Sequence, residues 1–116
     1  MNLLTEHCRH LTPENKLTPE EAMKLGYIDQ LDKGWEINPT HNTLSRLFSF
    51  SGFDEVILFA NYVAWLSMQQ DHHPRITLEY KTCNIEYHTH SVSGLSINDF
   101  ICAAHIDNYL LSSRKA

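Results

Sequence analysis

Histidines and carboxylates are concentrated between Asp71 and Asp99, and they are the residues most able to do chemistry in this chain. The stretch opens with the letters DHHP at residues 71–74, continues with HTH at residues 88–90 and closes at Asp99. Imidazole is the side chain whose ordinary pKa lies nearest neutrality, so it gains and loses protons readily at physiological pH. The cluster therefore indicates either acid–base catalysis or a metal site.

A zinc or iron site is the main alternative to acid–base catalysis. His88 and His90, together with His72 or His73, supply enough imidazoles for such a site. The spacing argues against it, because the chain has no HExxH, no H-x3-H pair and no CxxC motif. The metal interpretation depends on the number of histidines alone, so acid–base catalysis ranks above it and no metal ligand is assigned.

Seven predicted elements position this cluster. Capping boxes that begin at Thr18, Ser51 and Ser96 mark three helix starts, and Pro74 ends the longest helix. Apolar residues recur at helical spacing in the helices and alternate with polar residues in the strands. The elements are a helix from Pro19 to about Leu25, strands at 35–38 and 44–50, a helix at 53–70, strands at 76–80 and 83–89, and a helix at 100–111.

The order α-β-β-α-β-β-α predicts an α+β domain, with a four-stranded antiparallel sheet and helices packed on one face. We divide the chain into an N-terminal extension at residues 1–16, a domain at 17–111 and a tail at 112–116. The first dozen residues and the tail lack a clear pattern, so we expect them to be poorly ordered.

The composition excludes several classes of protein. A net charge of −5 disfavours direct nucleic-acid binding, which needs clustered Lys and Arg. No apolar run approaches the length of a membrane span, and the N-terminus has no secretory signal pattern. Cys8, Cys83 and Cys102 are an odd set without a paired motif, which indicates free thiols in the cytoplasm.

The predicted elements bring the histidine cluster together at one end of the second hairpin. His72 and His73 follow the long helix, and His90 follows the last strand. Asp99 lies one turn into the last helix, and Trp35 could supply an aromatic wall. We therefore expect a pocket beneath the start of the last helix.

Each candidate also has a structural explanation. His72 or His73 could cap the long helix, whose dipole favours a cation at that end. The remaining alternatives are Asp71 as a polar helix-end residue, Asp99 as a helix cap, Trp35 as a core residue and His88 as a solvent-facing strand residue.

The combined spacing resembles the pterin-4a-carbinolamine dehydratases, also called 4a-hydroxytetrahydrobiopterin dehydratases. The family pattern has His-His-Pro, then Tyr, Thr-His, Gly-Leu-Ser/Thr and an Asp that opens the last helix. The resemblance covers about residues 17–111 and includes the same order of helices and strands. In this chain the pattern falls on His72-His73-Pro74, Tyr80, Thr89-His90, Gly94-Leu95-Ser96 and Asp99.

The resemblance implies loss of water from a 4a-hydroxytetrahydropterin to give a quinonoid dihydropterin, in tetrahydrobiopterin recycling and without a cofactor. It implies His72 and His90 as the principal acid–base residues, with His73 assisting. Asp99 is implied to fix the tautomer of His90 or to bind the pterin. Family members are dimers or tetramers, so a homodimer or homotetramer is expected. With the pocket geometry, the substrate-binding set is Asp99, Trp35, Thr89 and Asp71.

Two alternatives stay open beside the enzyme. Some family members also act as dimerisation cofactors of a homeodomain transcription factor, which would make this chain a binding module. The second is a metal-binding or inactive pterin-binding relative, because Met68 stands where the family often has Glu and Arg75 where it usually has an acidic residue. Met68 lies four residues before His72, so helical spacing puts both on one face.

Overall fold

The computed structural model describes residues 1–114 and confirms the predicted order of helices and strands. Three α-helices and four strands are joined by loops, several of which contain a short 3-10 turn. The elements are α1 (Pro19–Lys24), β1 (Glu36–Asn38), β2 (Thr43–Ser49), α2 (Phe53–Gln70), β3 (Arg75–Leu78), β4 (Thr82–Tyr87) and α3 (Ile97–Arg114).

The strands form one sheet in the order β1-β2-β4-β3, and every neighbouring pair is antiparallel. In the central pair, Leu44 lies opposite Tyr87 and Phe48 opposite Cys83. These four side chains are buried, whereas Leu47, which points to the other side of β2, is 60% exposed. The helices therefore cover one face of the sheet, as predicted.

Both long helices contribute to the core beneath this face. Phe59 of α2 packs on Phe48, with ring centroids 4.6 Å apart. Phe100 and Ile101 near the start of α3 are fully buried. The start of α3 therefore lies inside the protein, and it carries the carboxyl group of Asp99 away from solvent.

The first predicted capping box forms and the second does not. At the start of α1 the Thr18 hydroxyl accepts from the Glu21 amide at 3.1 Å, and the Glu21 carboxylate accepts from the Thr18 amide at 3.0 Å. The box predicted at Ser51 is wrong, because Gly52 occupies the capping position of α2 and has no side chain to accept a bond.

The N-terminal extension is ordered, which corrects the expectation from its sequence. Leu3 is fully buried and Leu11 is nearly so. The Leu3 amide donates to Gln30 Oε1 at 2.9 Å, and His105 Nε2 donates to the Glu6 carbonyl at 3.1 Å. Because these partners lie far along the chain, no local pattern in the first dozen residues predicts the contacts.

Several element ends also differ from expectation; β3 ends at Leu78 and α3 begins at Ile97, for example. Residues 112–114 continue α3 and are not a poorly ordered tail, while residues 115–116 lie outside the described part of the chain. β4 ends at Tyr87, and a 3-10 turn begins at His90. His88 and His90 are therefore not residues of the strand.

Trp35 is anchored in the core by Asp107 of α3. Its Nε1–H donates to Asp107 Oδ1 at 2.8 Å, Arg46 Nη1 donates to the same oxygen at 2.9 Å, and the Asp32 amide donates to Oδ2 at 2.9 Å. Burial raises the pKa of Asp107, against the lowering effect of these hydrogen bonds. One carboxyl group thus ties the loop before β1 to β2 and α3.

We expect Asp107→Ala to lower the free energy of unfolding by about 2–4 kcal/mol, because three donors lose their acceptor. Asp32→Ala is the matched control. The Asp32 side chain bonds the same Arg46 at 3.3 Å but is 60% exposed, so its loss should change stability by no more than about 0.5 kcal/mol. Urea denaturation measures both values, and equal losses would contradict the anchoring role.

Candidate active site

A sharp turn at the end of α2 directs His72 into the protein. Asp71 adopts the left-handed conformation, with φ 49° and ψ 45°, which Asp tolerates better than most residues. The amides of Asp71 and His72 both donate to the Ser67 carbonyl, and Pro74 prevents the helix from resuming. His72 is consequently buried, whereas His73 remains exposed.

His72 pairs with Asp99 in the first turn of α3. Its Nε2 lies 2.7 Å from Asp99 Oδ1, and Asp99 has no exposed surface. A carboxylate can only accept, so Nε2 carries the hydrogen in this bond. In the neutral imidazole Nδ1 is then the basic atom, and the hydrogen bond to Asp99 is the one bond of this ring within residues 1–114. The pair holds a histidine in one defined tautomer.

Thr89 and Ser96 supply the other bonds to Asp99. The Thr89 hydroxyl lies 3.0 Å from both carboxylate oxygens, and the Ser96 amide donates to Oδ2 at 3.0 Å. Because the single hydroxyl proton of Thr89 goes to Asp99, the Ser96 hydroxyl, 2.7 Å away, donates to Thr89 Oγ1. Donors from three separate segments therefore fix the carboxylate that faces His72.

Tyr87 supports the His72 ring from the core side. The two rings stack with centroids 5.5 Å apart and an interplanar angle of 10°. The Tyr87 hydroxyl is buried without a hydrogen-bond partner among the described residues, and burial raises its pKa well above the ordinary value. Sequence reasoning did not assign Tyr87 to the site; the available signal was its place on the inward side of β4.

Three further imidazoles stand at the edge of the site. His73 and His90 are exposed, and His88 is half-buried. His88 Nδ1–H donates to the Asn42 carbonyl at 3.1 Å, and its ring lies edge-on to His90 with centroids 5.4 Å apart. His88 is therefore a support for His90, which corrects its expected place as a solvent-facing strand residue.

These side chains border a cleft of about 420 Å³, a volume typical of small-molecule sites. Asp99 does not line the cleft and lies behind His72, consistent with its complete burial. The N-terminal extension contributes residues 8–11 to the lining, which sequence reasoning did not anticipate. The predicted site residues that do line it are Asp71, His72, His73, Thr89 and His90.

Comparison with known proteins assigns this arrangement to a family. The family model described as Pterin 4 alpha carbinolamine dehydratase matches residues 15–109, which contain every element from α1 to β4 and most of α3. The chain belongs to the pterin-4a-carbinolamine dehydratase family.

Similar proteins agree with this membership. A Nitrosomonas eutropha protein, provisionally named a pterin-4-alpha-carbinolamine dehydratase, is 47% identical over 96 residues, which cover 83% of this chain and 81% of the relative. A Legionella pneumophila (strain Philadelphia 1) protein with the same provisional name is 34% identical over 110 residues, which cover 95% and 96%. The crystal structure of a transcriptional coactivator/pterin dehydratase from Brucella melitensis matches with a TM-score of 0.73 and 26% identity, covering 81% of this chain and 97% of that one.

Two expectations about the dehydratase site are corrected by the contacts. Asp99 bonds His72, so the expectation that it fixes the tautomer of His90 is wrong. Trp35 is 4% exposed and bonded to Asp107, so it is not an aromatic wall of the cleft.

Met68, where the dehydratase family often has Glu, lies away from the cleft. Its side chain is 76% exposed. α2 ends at Gln70 and the left-handed Asp71 follows, so His72 is not in the helix and does not share a helix face with Met68. Met68 is therefore neither a lining residue of the cleft nor a partner of the His72–Asp99 pair.

The many histidines of this dehydratase-family chain do not assemble into a metal-binding geometry. Within the part of the chain that the structure describes, no three His, Cys, Asp or Glu side chains are grouped so that they could hold a metal ion. In the same residues, each helix is too short or too polar to span a bilayer.

Proposed function

We propose that this chain removes water from a 4a-hydroxytetrahydropterin and gives the quinonoid dihydropterin. The observation that carries this proposal is the 2.7 Å pair of His72 and Asp99 beside a cleft of about 420 Å³, in a chain of the dehydratase family. An imidazole held in one tautomer can act as a general base, and a cavity of this size accommodates a small bicyclic substrate.

In the proposed reaction His72 is the general base and acts through Nδ1. It removes the proton from a ring N–H, and that electron pair forms a C=N bond to carbon 4a. The hydroxyl on this carbon leaves and takes a proton from His90 to become water. Asp99 keeps the His72 tautomer and stabilises the imidazolium that forms. The pterin nitrogens supply the electrons for the step, so we assign no cofactor.

The remaining candidates divide into binding and positioning residues. His73 and Asp71 are exposed at the cleft, and we assign both to pterin binding. Thr89 is assigned to positioning, because its hydroxyl is bonded to Asp99 and its backbone is paired with Gly94 at 2.8 Å and 3.3 Å.

A direct dehydration assay tests this proposal. The 4a-hydroxytetrahydropterin is generated in the cuvette by an aromatic amino acid hydroxylase, and its spontaneous decay gives the background rate. Added protein should accelerate the appearance of the quinonoid product in proportion to its concentration. A decay rate that does not change over a wide range of protein concentrations would contradict the proposal.

His90→Ala should lower kcat by roughly 10-fold or more, because the leaving hydroxyl loses its proton donor. His88→Ala should have a smaller effect, since it only removes the ring that supports His90. Asp29→Ala is the control: this exposed residue lies in the 3-10 turn after α1 and lines neither the cleft nor the pocket that His73, His88 and His90 share. If His90→Ala turns over as fast as Asp29→Ala, His90 is not the acid.

We also propose that the chain forms a homodimer or homotetramer. Leu58, Trp65 and Met68 on α2 are 64%, 55% and 76% exposed, and Leu78 at the end of edge strand β3 is 42% exposed. Apolar surface and an unpaired strand edge are features that self-association covers. Light scattering should give at least twice the 13.5 kDa chain mass, and a monomer at every concentration would refute the proposal.

We also propose a cytoplasmic location. The three cysteines carry no disulfide, as is usual for proteins in the reducing cytosol. Cell fractionation tests it.

The crystal structure from Brucella melitensis carries the name transcriptional coactivator, and that name describes the Brucella protein only. No feature of residues 1–114 identifies a transcription-factor partner, so the binding module is not proposed as a second function.

A further inference from the structure

The N-terminal extension lines part of the cleft, and its lining residues lie outside the part of the chain that the family model matches. The segment Cys8–Leu11, called the arm segment below, lines the cleft, whereas the family model begins at residue 15. The cleft of this chain is therefore built from the family domain and from an added segment.

The arm segment is held by residues next to the site. Asn98 Nδ2 donates to the Arg9 carbonyl at 2.8 Å, and the Arg9 amide donates back to Asn98 Oδ1 at 3.1 Å. The Cys8 amide donates to Gln70 Oε1 at 2.8 Å. Asn98 precedes Asp99 in the chain, and Gln70 lies two residues before His72. The arm segment is therefore fixed relative to the proposed catalytic pair.

Two side chains of the arm segment are available to a ligand. Arg9 and His10 are exposed. Arg9 donates to Glu6 through Nη2 at 2.8 Å, and its Nε and Nη1 have no partner in the described residues. The His10 ring has none there either. Guanidinium and imidazole N–H groups both recognise oxygen acceptors.

We propose that Arg9 and His10 bind the side chain of the pterin and select a substituent rich in oxygen over an apolar one. This inference depends on the proposed function, which puts the reacting ring at buried His72. The non-reacting substituent then extends toward exposed lining residues. A hydroxylated or anionic substituent can accept hydrogen bonds from Arg9 and His10, whereas a methyl group cannot.

Fluorescence titration with two unreactive dihydropterins tests the proposal without requiring turnover. One carries a dihydroxypropyl side chain and the other a methyl group at the same position. Arg9→Ala and His10→Ala should each weaken binding of the first by roughly 5–10-fold, the effect of one hydrogen bond to a charged or polar donor, and leave the second within about two-fold. Lys33→Ala, which removes an exposed cation outside the cleft, is the control.

The outcomes separate this proposal from the dehydratase assignment. Equal weakening of both compounds, no weakening, or no binding of either compound to the wild-type protein overturns the role of Arg9 and His10. Selective weakening in a wild-type protein that fails the dehydration assay would support that role and reject the reaction instead.

A second inference comes from a different observation, the proximity of two thiols. Cys8 Sγ lies 3.4 Å from Cys102 Sγ in the second turn of α3. A disulfide bond is about 2.05 Å long, so the sulfurs need to approach by only roughly 1.4 Å. We infer that Cys8 and Cys102 form a disulfide when the protein meets a hydroperoxide, and that this bond ties the arm segment to α3.

The chemistry assigns different roles to the two cysteines. Cys8 is half-buried and lines the cleft, so a peroxide can reach it. The hydrogen bond with Cys8, together with burial, raises the pKa of Cys102. The Cys8 thiolate attacks one peroxide oxygen, the O–O bond breaks, and a sulfenic acid and water form. Cys102 sulfur then displaces water from that sulfenic acid, so two thiols are oxidised and hydrogen peroxide is reduced to two waters.

Thiol titration under denaturing conditions tests the inference. After treatment with hydrogen peroxide and removal of excess, only Cys83, buried in β4, should remain titratable, and the intact mass should fall by two hydrogens. The bond closes a loop of more than ninety residues, so the thermal midpoint should rise by at least roughly 5 °C, and a dithiol reductant should reverse the rise. Cys8→Ser should abolish the cross-link and Cys83→Ser should retain it. Three titratable thiols, a Cys8 sulfinic acid without a cross-link, or a disulfide between chains would overturn it.

Discussion

His72→Ala should reduce kcat by ~10²–10⁴-fold, the range associated with loss of one positioned acid–base group. The reason is that Nδ1 of His72 is the basic atom that its bond to Asp99 leaves free. KM should change less than kcat, because the exposed binding residues of the cleft remain. Steady-state dehydration kinetics, with the spontaneous background subtracted, measure both constants.

Two further variants distinguish a loss of catalysis from a loss of folding. His72 is stacked on Tyr87 in the core, so His72→Gln, which keeps more of the side-chain volume, should be equally slow but more stable than His72→Ala. Asp29→Ala, outside every cavity near the site, should have wild-type rates. A His72→Gln variant with wild-type kcat would exclude His72 as the base, whatever its stability.

The fold was largely predictable because its signals are local. The capping box at Thr18, the apolar periodicity of α2 and the alternation in β4 each identify one element over a few residues. The element ends were less predictable. β4 stops at Tyr87 because the pairing with β2 stops at Leu44, and the residues after Tyr87 still alternate in sequence.

The residues of the site were predictable from the sequence, but the hydrogen bonds between them were not. The motif spacing assigned His72, His90 and Asp99 together, but only three-dimensional contacts decide that Asp99 bonds His72. The arm segment could not be assigned, because Cys8–Leu11 has no periodicity and its partners, Gln70 and Asn98, are more than sixty residues away. Trp35 was misassigned because its partner, Asp107, lies in α3.

Asp99→Asn should be nearly as damaging as the loss of His72, with kcat lower by ~10²–10⁴-fold. The amide oxygen, in the place of Oδ2, can still accept from Thr89 and from the Ser96 amide, so the amide N–H₂ takes the place of Oδ1 and faces His72. Nε2 must then accept, which moves the imidazole hydrogen to Nδ1 and removes the base. Asp29→Asn, an exposed carboxylate outside the cleft, is the control and should leave kcat unchanged.

The double variant His72→Ala/Asp99→Asn decides how Asp99 acts. If Asp99 works only through His72, its substitution has nothing left to disturb once the imidazole is gone. The double variant should then be within about three-fold of His72→Ala alone, as for residues that act as a unit. If Asp99 instead bound the pterin directly, the two losses would multiply, and KM would rise in the double variant. The complete burial of Asp99 behind His72 leads us to expect the first result.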